Sequence, residues 1–151
     1  MVFFYYARRC RLKIIVSLDL LALMHYISQK GSLVMPESRL RNLSIEFAVK
    51  ILNLVKDLKN QRETIVSNQI GRSGTSIGAN IHEAQYAHGK SDFIAKLQIA
   101  LKEANETGYW LELLLKTNYI DNARYSELND SCSQIRVMLI ESINTAKGDV
   151  T

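Results

Sequence analysis

Four polar side chains, Ser73, Ser76, Asn80 and Glu83, recur at steps of three, four and three. That spacing puts them on one face of a helix. A row of hydroxyls, an amide and a carboxylate can hydrogen-bond a neighbouring helix or line a ligand pocket. Arg72 stands beside the row, and Glu103 and Glu106 lie further along the chain. Partly buried charges must be paired or they cost several kcal/mol. The expected arrangement is therefore a structural polar seam, with Arg72 meeting Glu103 or Glu106 and with Ser76 and Asn80 bonding across the same interface. Such a network selects one packing of the helices over others. A ligand pocket along the seam is the alternative.

Other chemistries find less support. Di-iron bundles use Glu-x-x-His on two helices plus a Glu from each of the other two. Here Glu83 is followed by Tyr86 and Glu103 by Glu106, while His82 and His88 are six residues apart and share no face. No histidine is spaced to reach Ser73 or Ser76 along their helix. Gly71-Arg72-Ser73-Gly74 lacks the lysine and the strand-to-helix context of a phosphate-binding loop. No catalytic residue, metal or cofactor is expected.

The segment that carries the seam also has an apolar stripe, Ile70, Ile77, Ile81 and Ala84. Gly71, Gly74 and Gly78 interrupt it, each costing a solvated helix about 1 kcal/mol relative to alanine. Close approach to a neighbouring helix would explain them. Four helices are expected. The first runs from Ser38 to Lys59, with Leu40, Leu43, Phe47, Ile51, Leu54 and Leu58 inward. Asn60 and Glu63 resemble a capping box for the second, which reaches His88 and stops at Gly89. The third starts at Ser91 or Asp92 and turns Phe93, Leu97, Ala100, Ala104, Trp110 and Leu114 inward. Residues 118–121 turn, and Asp121 or Asn122 caps the fourth, with Leu128, Cys132, Ile135, Leu139, Ile143 and Ala146 inward. Tyr109 and Trp110 are adjacent and so point to different helix faces: either one lies in the core and the other is exposed and marks a protein interface, or both rings pack within the bundle. Short connections imply an all-α, antiparallel, up-down-up-down four-helix bundle over residues 35–151.

A chain of 151 residues, 47% hydrophobic and with one proline, fits a single helical domain. Two cysteines make no disulfide framework, which suits a reducing cytoplasm. The net charge of +4 is local. Residues 1–34 hold Arg8, Arg9, Arg11, Lys13 and Lys30 against Asp19, leaving 14 basic and 14 acidic residues from Met35 onward. A mild dipole remains, with Arg39, Arg41, Lys50, Lys56, Lys59 and Arg62 on or near the first helix. These are either a solvated face or a nucleic-acid-binding patch.

Residues 1–34 read as an N-terminal appendage with three open roles: translated upstream sequence without a fold, a helical extension, or a membrane anchor. Against the anchor, Asp19 interrupts the apolar run Ile14–Ile27, which is shorter than the roughly 20 residues needed to cross a bilayer. No small-x-small cleavage site follows it.

The run Gln69-Ile70, Arg72-Ser73, Ser76-Ile77, Asn80-Ile81, Glu83 resembles the signature of four-helix-bundle proteins encoded in intervening sequences of bacterial 23S rRNA genes. A second block supports it: Phe93, Leu97, Ile99-Ala100, Lys102-Glu103, Glu106, Tyr109-Trp110-Leu111 and Tyr119-Ile120. The likeness covers roughly residues 36–147. At 82–84 the chain has His-Glu-Ala, where relatives usually carry Ala-Glu-Gly. The resemblance implies a non-enzymatic bundle that assembles into a homopentamer. One related branch, the accessory variability determinant of diversity-generating retroelements, binds RNA and partners a reverse transcriptase. By that likeness the first helix's cations would contact phosphate. The competing expectations are a small-molecule or metal-binding bundle and a scaffold for a protein partner without nucleic acid.

Overall fold

The computed structural model describes residues 39–148, and four helices fill that span. They are α1 (Arg39–Asn60), α2 (Ile65–Ala84), α3 (Lys90–Lys116) and α4 (Asn122–Lys147). The expectations for residues 1–34 and for a first-helix start at Ser38 fall outside the described residues.

Each helix buries the stripe that its spacing defines. Leu40, Phe47, Ile51, Leu54 and Leu58 of α1 meet Ile70, Ile77, Ile81 and Ala84 of α2 in one core, which Leu97, Leu111 and Leu114 of α3 and Leu128, Ile135 and Leu139 of α4 complete. Burying each large side chain of this kind contributes roughly 1.5–3 kcal/mol. Leu43, Phe93, Trp110 and Ala146, expected inward, are only half-buried, because they sit at the shoulders of their stripes.

The helices pack in a cycle, α1–α2–α3–α4–α1, each backbone lying close to its two neighbours. Gly71 faces Val55, Gly74 faces Ile51 and Gly78 faces Ser44. One index rises as the other falls, so α1 and α2 are antiparallel. Arg72 reaches Glu106 while Glu83 reaches Lys96, so α2 and α3 are antiparallel too. Residues 117–121 then turn the chain directly from α3 into α4.

The turns differ from expectation at two places. Asn60 does not cap α2; it is the last residue of α1. The Arg62 N–H bonds to the Lys59 carbonyl (3.0 Å) and the Glu63 N–H to the Leu58 carbonyl (2.9 Å), closing α1 in a Schellman turn with Arg62 at φ 62°. Glu63 itself then caps α2. Its carboxylate accepts the N–H groups of Ile65, Val66 and Ser67 at 2.9, 2.8 and 2.7 Å. One buried carboxylate thus serves three of the four orphan donors of the first turn. The second difference is the end of α2, at Ala84 rather than His88. Gln85, Tyr86 and Ala87 each bond to the carbonyl three residues back, a tightened turn that terminates the α-helix. Gly89 belongs to the start of α3, where its carbonyl accepts the Phe93 N–H. Asp121 caps α4 as expected, accepting the Arg124 N–H at 2.7 Å.

Candidate nucleic-acid interface and polar seam

The seam residues divide into a buried part and a rim. Ser73 is fully buried, and Thr107 of α3 donates to its hydroxyl at 2.9 Å. Thr107 Oγ1 also lies 2.8 Å from the Glu103 carbonyl. This hydroxyl pair is the buried polar link between α2 and α3. Thr107 is absent from the seam that spacing predicts, although its position three after Ala104 puts it on the inward stripe of α3.

Arg72 lies at the rim with most of its side chain in solvent. Its guanidinium donates to Glu106 Oε1 and Gln69 Oε1, both at 3.2 Å. Trp110 Nε1 donates to the same Glu106 oxygen at 3.2 Å, which fixes the indole at the bundle edge. Tyr109 packs edge-on against that indole with ring centroids 4.8 Å apart, and it is exposed. Of the two partners expected for Arg72, Glu106 is the one it meets. The Glu103 carboxylate forms no hydrogen bond or ion pair among the described residues. Asn80 does not cross the interface; its Nδ2 donates to the Ser76 carbonyl one turn back at 2.8 Å. Glu83 is exposed and pairs with Lys96, whose ammonium that hydrogen bond holds above its ordinary range.

The fully buried seam group, Ser73, is thus bonded to α3, while Arg72 and Glu83 form ion pairs at the exposed rim. Among the described residues, no buried side-chain nitrogen or oxygen lacks a partner. An open hollow of about 190 Å³ lies elsewhere, at the end of the bundle, against Leu40, Ile81, Ala84, Phe93 and Leu97. No group of three or more His, Cys, Asp or Glu side chains converges among the described residues. Cys132 is buried beside the Ala104 carbonyl, and burial pushes its thiol up to about 11.

The cations of α1 do not form one patch. Arg39 and Arg41 stand at its start, and Lys56, Lys59 and Arg62 at its far end, with about 22 Å of helix between Arg41 and Lys56. Lys50 is engaged within the bundle, 3.2 Å from both Glu127 Oε1 and Ser131 Oγ of α4. Lys50 and then Arg124 hold the Glu127 carboxyl below the usual carboxylate range. Arg39, Arg41, Lys56, Lys59 and Arg62 make no ion pair among the described residues. Glu46 and Asp57 are the acidic residues on α1.

Four antiparallel helices around one core, with a glycine-lined approach between α1 and α2, define a four-helix-bundle protein. Residues 37–141 match the family model described as 23S rRNA-intervening sequence protein, and the chain belongs to that family. A solved structure from Bacteroides thetaiotaomicron VPI-5482, described as a protein with unknown function from the S23 ribosomal protein family, is 55% identical with a TM-score of 0.68. The match covers 69% of this chain and 97% of that one. No curated protein matches. Among the described residues no helix is long and apolar enough to cross a membrane.

Proposed function

We propose that this chain is a non-enzymatic, self-assembling bundle protein of the cytoplasm that associates with RNA through the two basic ends of α1. The carrying observation is the set of cations that make no ion pair among the described residues, Arg39, Arg41, Lys56, Lys59 and Arg62, on and just after a helix with only two acidic residues. Membership of a family described by its 23S rRNA intervening sequence supports the choice of RNA. Contacts of this kind go to phosphate, position the nucleic acid without reading its sequence, and weaken steeply with salt. Assembly, a pentamer by family resemblance, multiplies a modest patch on each subunit. A reverse transcriptase is a further partner in the same reading and is tested by co-purification. The metal reading finds no group of three or more His, Cys, Asp or Glu side chains among the described residues, and the buried seam hydroxyl, Ser73, is already bonded to Thr107.

The test is binding of a structured RNA to the full chain across a salt series. Replacing both Lys59 and Arg62 with glutamate should weaken binding and reduce the slope of log affinity against log salt by about one for each phosphate no longer neutralised. Binding that is absent, or that is unchanged in both affinity and slope by this double substitution, rejects the α1 interface.

A further inference from the structure

Two apolar stripes lie outside the core. On α1, Ile45, Val49 and Leu52 are 49%, 53% and 47% exposed. Their steps of four and three put them on one helix face. On α4, Val137 and Ile140 are 54% and 45% exposed, and Ser133 extends their line by a turn. Contiguous exposed apolar surface marks interaction sites. Both stripes point away from the core of one bundle, so neither can cover the other within a molecule.

Charge and register indicate what covers them. Lys56 continues the α1 stripe one turn past Leu52 and makes no ion pair among the described residues. Asp130 continues the α4 stripe one turn before Ser133, and among the described residues its carboxylate accepts only from Ser126 Oγ, at 3.3 Å. Laid antiparallel, the two helices fall into a shared register. Ile45 comes opposite Ile140, Val49 opposite Val137, Leu52 opposite Ser133 and Lys56 opposite Asp130. The steps run four, three, four along α1 and three, four, three along α4, so facing residues stay within one position, about 1.5 Å, of each other over three turns. Parallel docking with the same valines opposed would bring Lys59 against Lys147, a like-charge contact.

We infer that α1 of one copy docks antiparallel along α4 of a second copy, with Val49 against Val137 and Lys56 against Asp130. This rests on the self-assembly reading above and assigns its surfaces. The two copies contribute different faces, so the contact is heterologous, and repetition closes into a ring or continues as a filament. Lys56 becomes a subunit contact, which leaves Arg39, Arg41, Lys59 and Arg62 for phosphate.

The experiment uses full-length Val49→Glu and Val137→Glu, with mass by light scattering and helix content by circular dichroism. Both positions are about half exposed, so helix content should be unchanged. Each variant alone should self-associate at least tenfold more weakly than the parent chain. An equimolar mixture should form a one-to-one heterodimer, because each variant supplies the intact stripe that the other lacks. Lys56→Asp and Asp130→Lys should each weaken assembly, and both together in one chain should restore it. This charge pair keeps the test readable if a glutamate variant fails to fold. If the parent assembles, and Val137→Glu assembles equally well or the mixture gives no heterodimer, the α1–α4 contact is overturned while self-assembly stands. A parent chain that is monomeric at every concentration overturns both.

Discussion

Gly74 of α2 lies directly against Ile51 of α1: a methyl group added to the glycine would stand 2.9 Å from both Ile51 Cγ1 and Cγ2. Ile51 is fully buried and β-branched, so it has little freedom to turn away. The contact sets how near the two helices can come. Gly71, 3.2 Å from Val55 by the same measure, and Gly78, 3.4 Å from Ser44, extend it along the interface with more room at the Ser44 end.

Alanine should therefore act in opposite directions along this row. Gly74→Ala overpacks the interface at a cost of about 1–3 kcal/mol, against a gain of about 1 kcal/mol in helix propensity. A net loss of stability is expected. Gly78→Ala meets only ordinary contact with Ser44 and should gain about 0.5–1 kcal/mol. Urea unfolding midpoints decide both, and a stabilised Gly74→Ala would contradict the close-approach account.

Glu63 holds the start of α2 through three backbone N–H groups. Glu63→Ala should cost about 1–2 kcal/mol, as the loss of a helix cap does. Glu63→Gln, which keeps one acceptor oxygen, should cost less. Hydrogen exchange should rise first at the amides of Ile65, Val66 and Ser67. Uniform exchange along α2 would show that the cap is not local.

Arg62 occupies the left-handed region at φ 62°, where a Cβ costs roughly 1–2 kcal/mol. Arg62→Gly should raise stability by about 0.5–1 kcal/mol, the greater freedom of an unfolded glycine taking back part of the gain. The same change removes a proposed phosphate contact. Stability and RNA affinity should therefore move in opposite directions, and thermal unfolding measured beside binding shows whether they do.

Lys50 and Arg124 depress the Glu127 carboxyl in the folded chain. A depressed carboxylate contributes stability above its unfolded pKa and loses it as pH falls through the folded value. Glu127→Gln should flatten the acid limb of the stability curve and leave its slope near neutrality alone. The effect should be small and salt-sensitive, because Glu127 is about half exposed. Melting temperatures across the acid range, at low and high salt, test this.

Helical spacing is a local property, so the sequence by itself determined much of the fold. The inward stripes from Leu40 to Leu58 and from Leu128 to Ile143 follow from periodicity, and Asp121 is legible as a cap because its carboxylate bonds only three residues on. Glu63 reads in the sequence as a helper to Asn60, since a capping box and a direct carboxylate cap share the same residue types. Which partner each face meets was decided only by the tertiary structure. Gly74 and Ser73 are adjacent in the chain, yet one meets α1 and the other α3. Asn80 turns to the Ser76 carbonyl of its own helix, and Lys50 leaves the basic face for Glu127. A side chain's polarity sets what it needs, but the groups within reach depend on how whole helices pack, and that packing is a global compromise no local spacing contains.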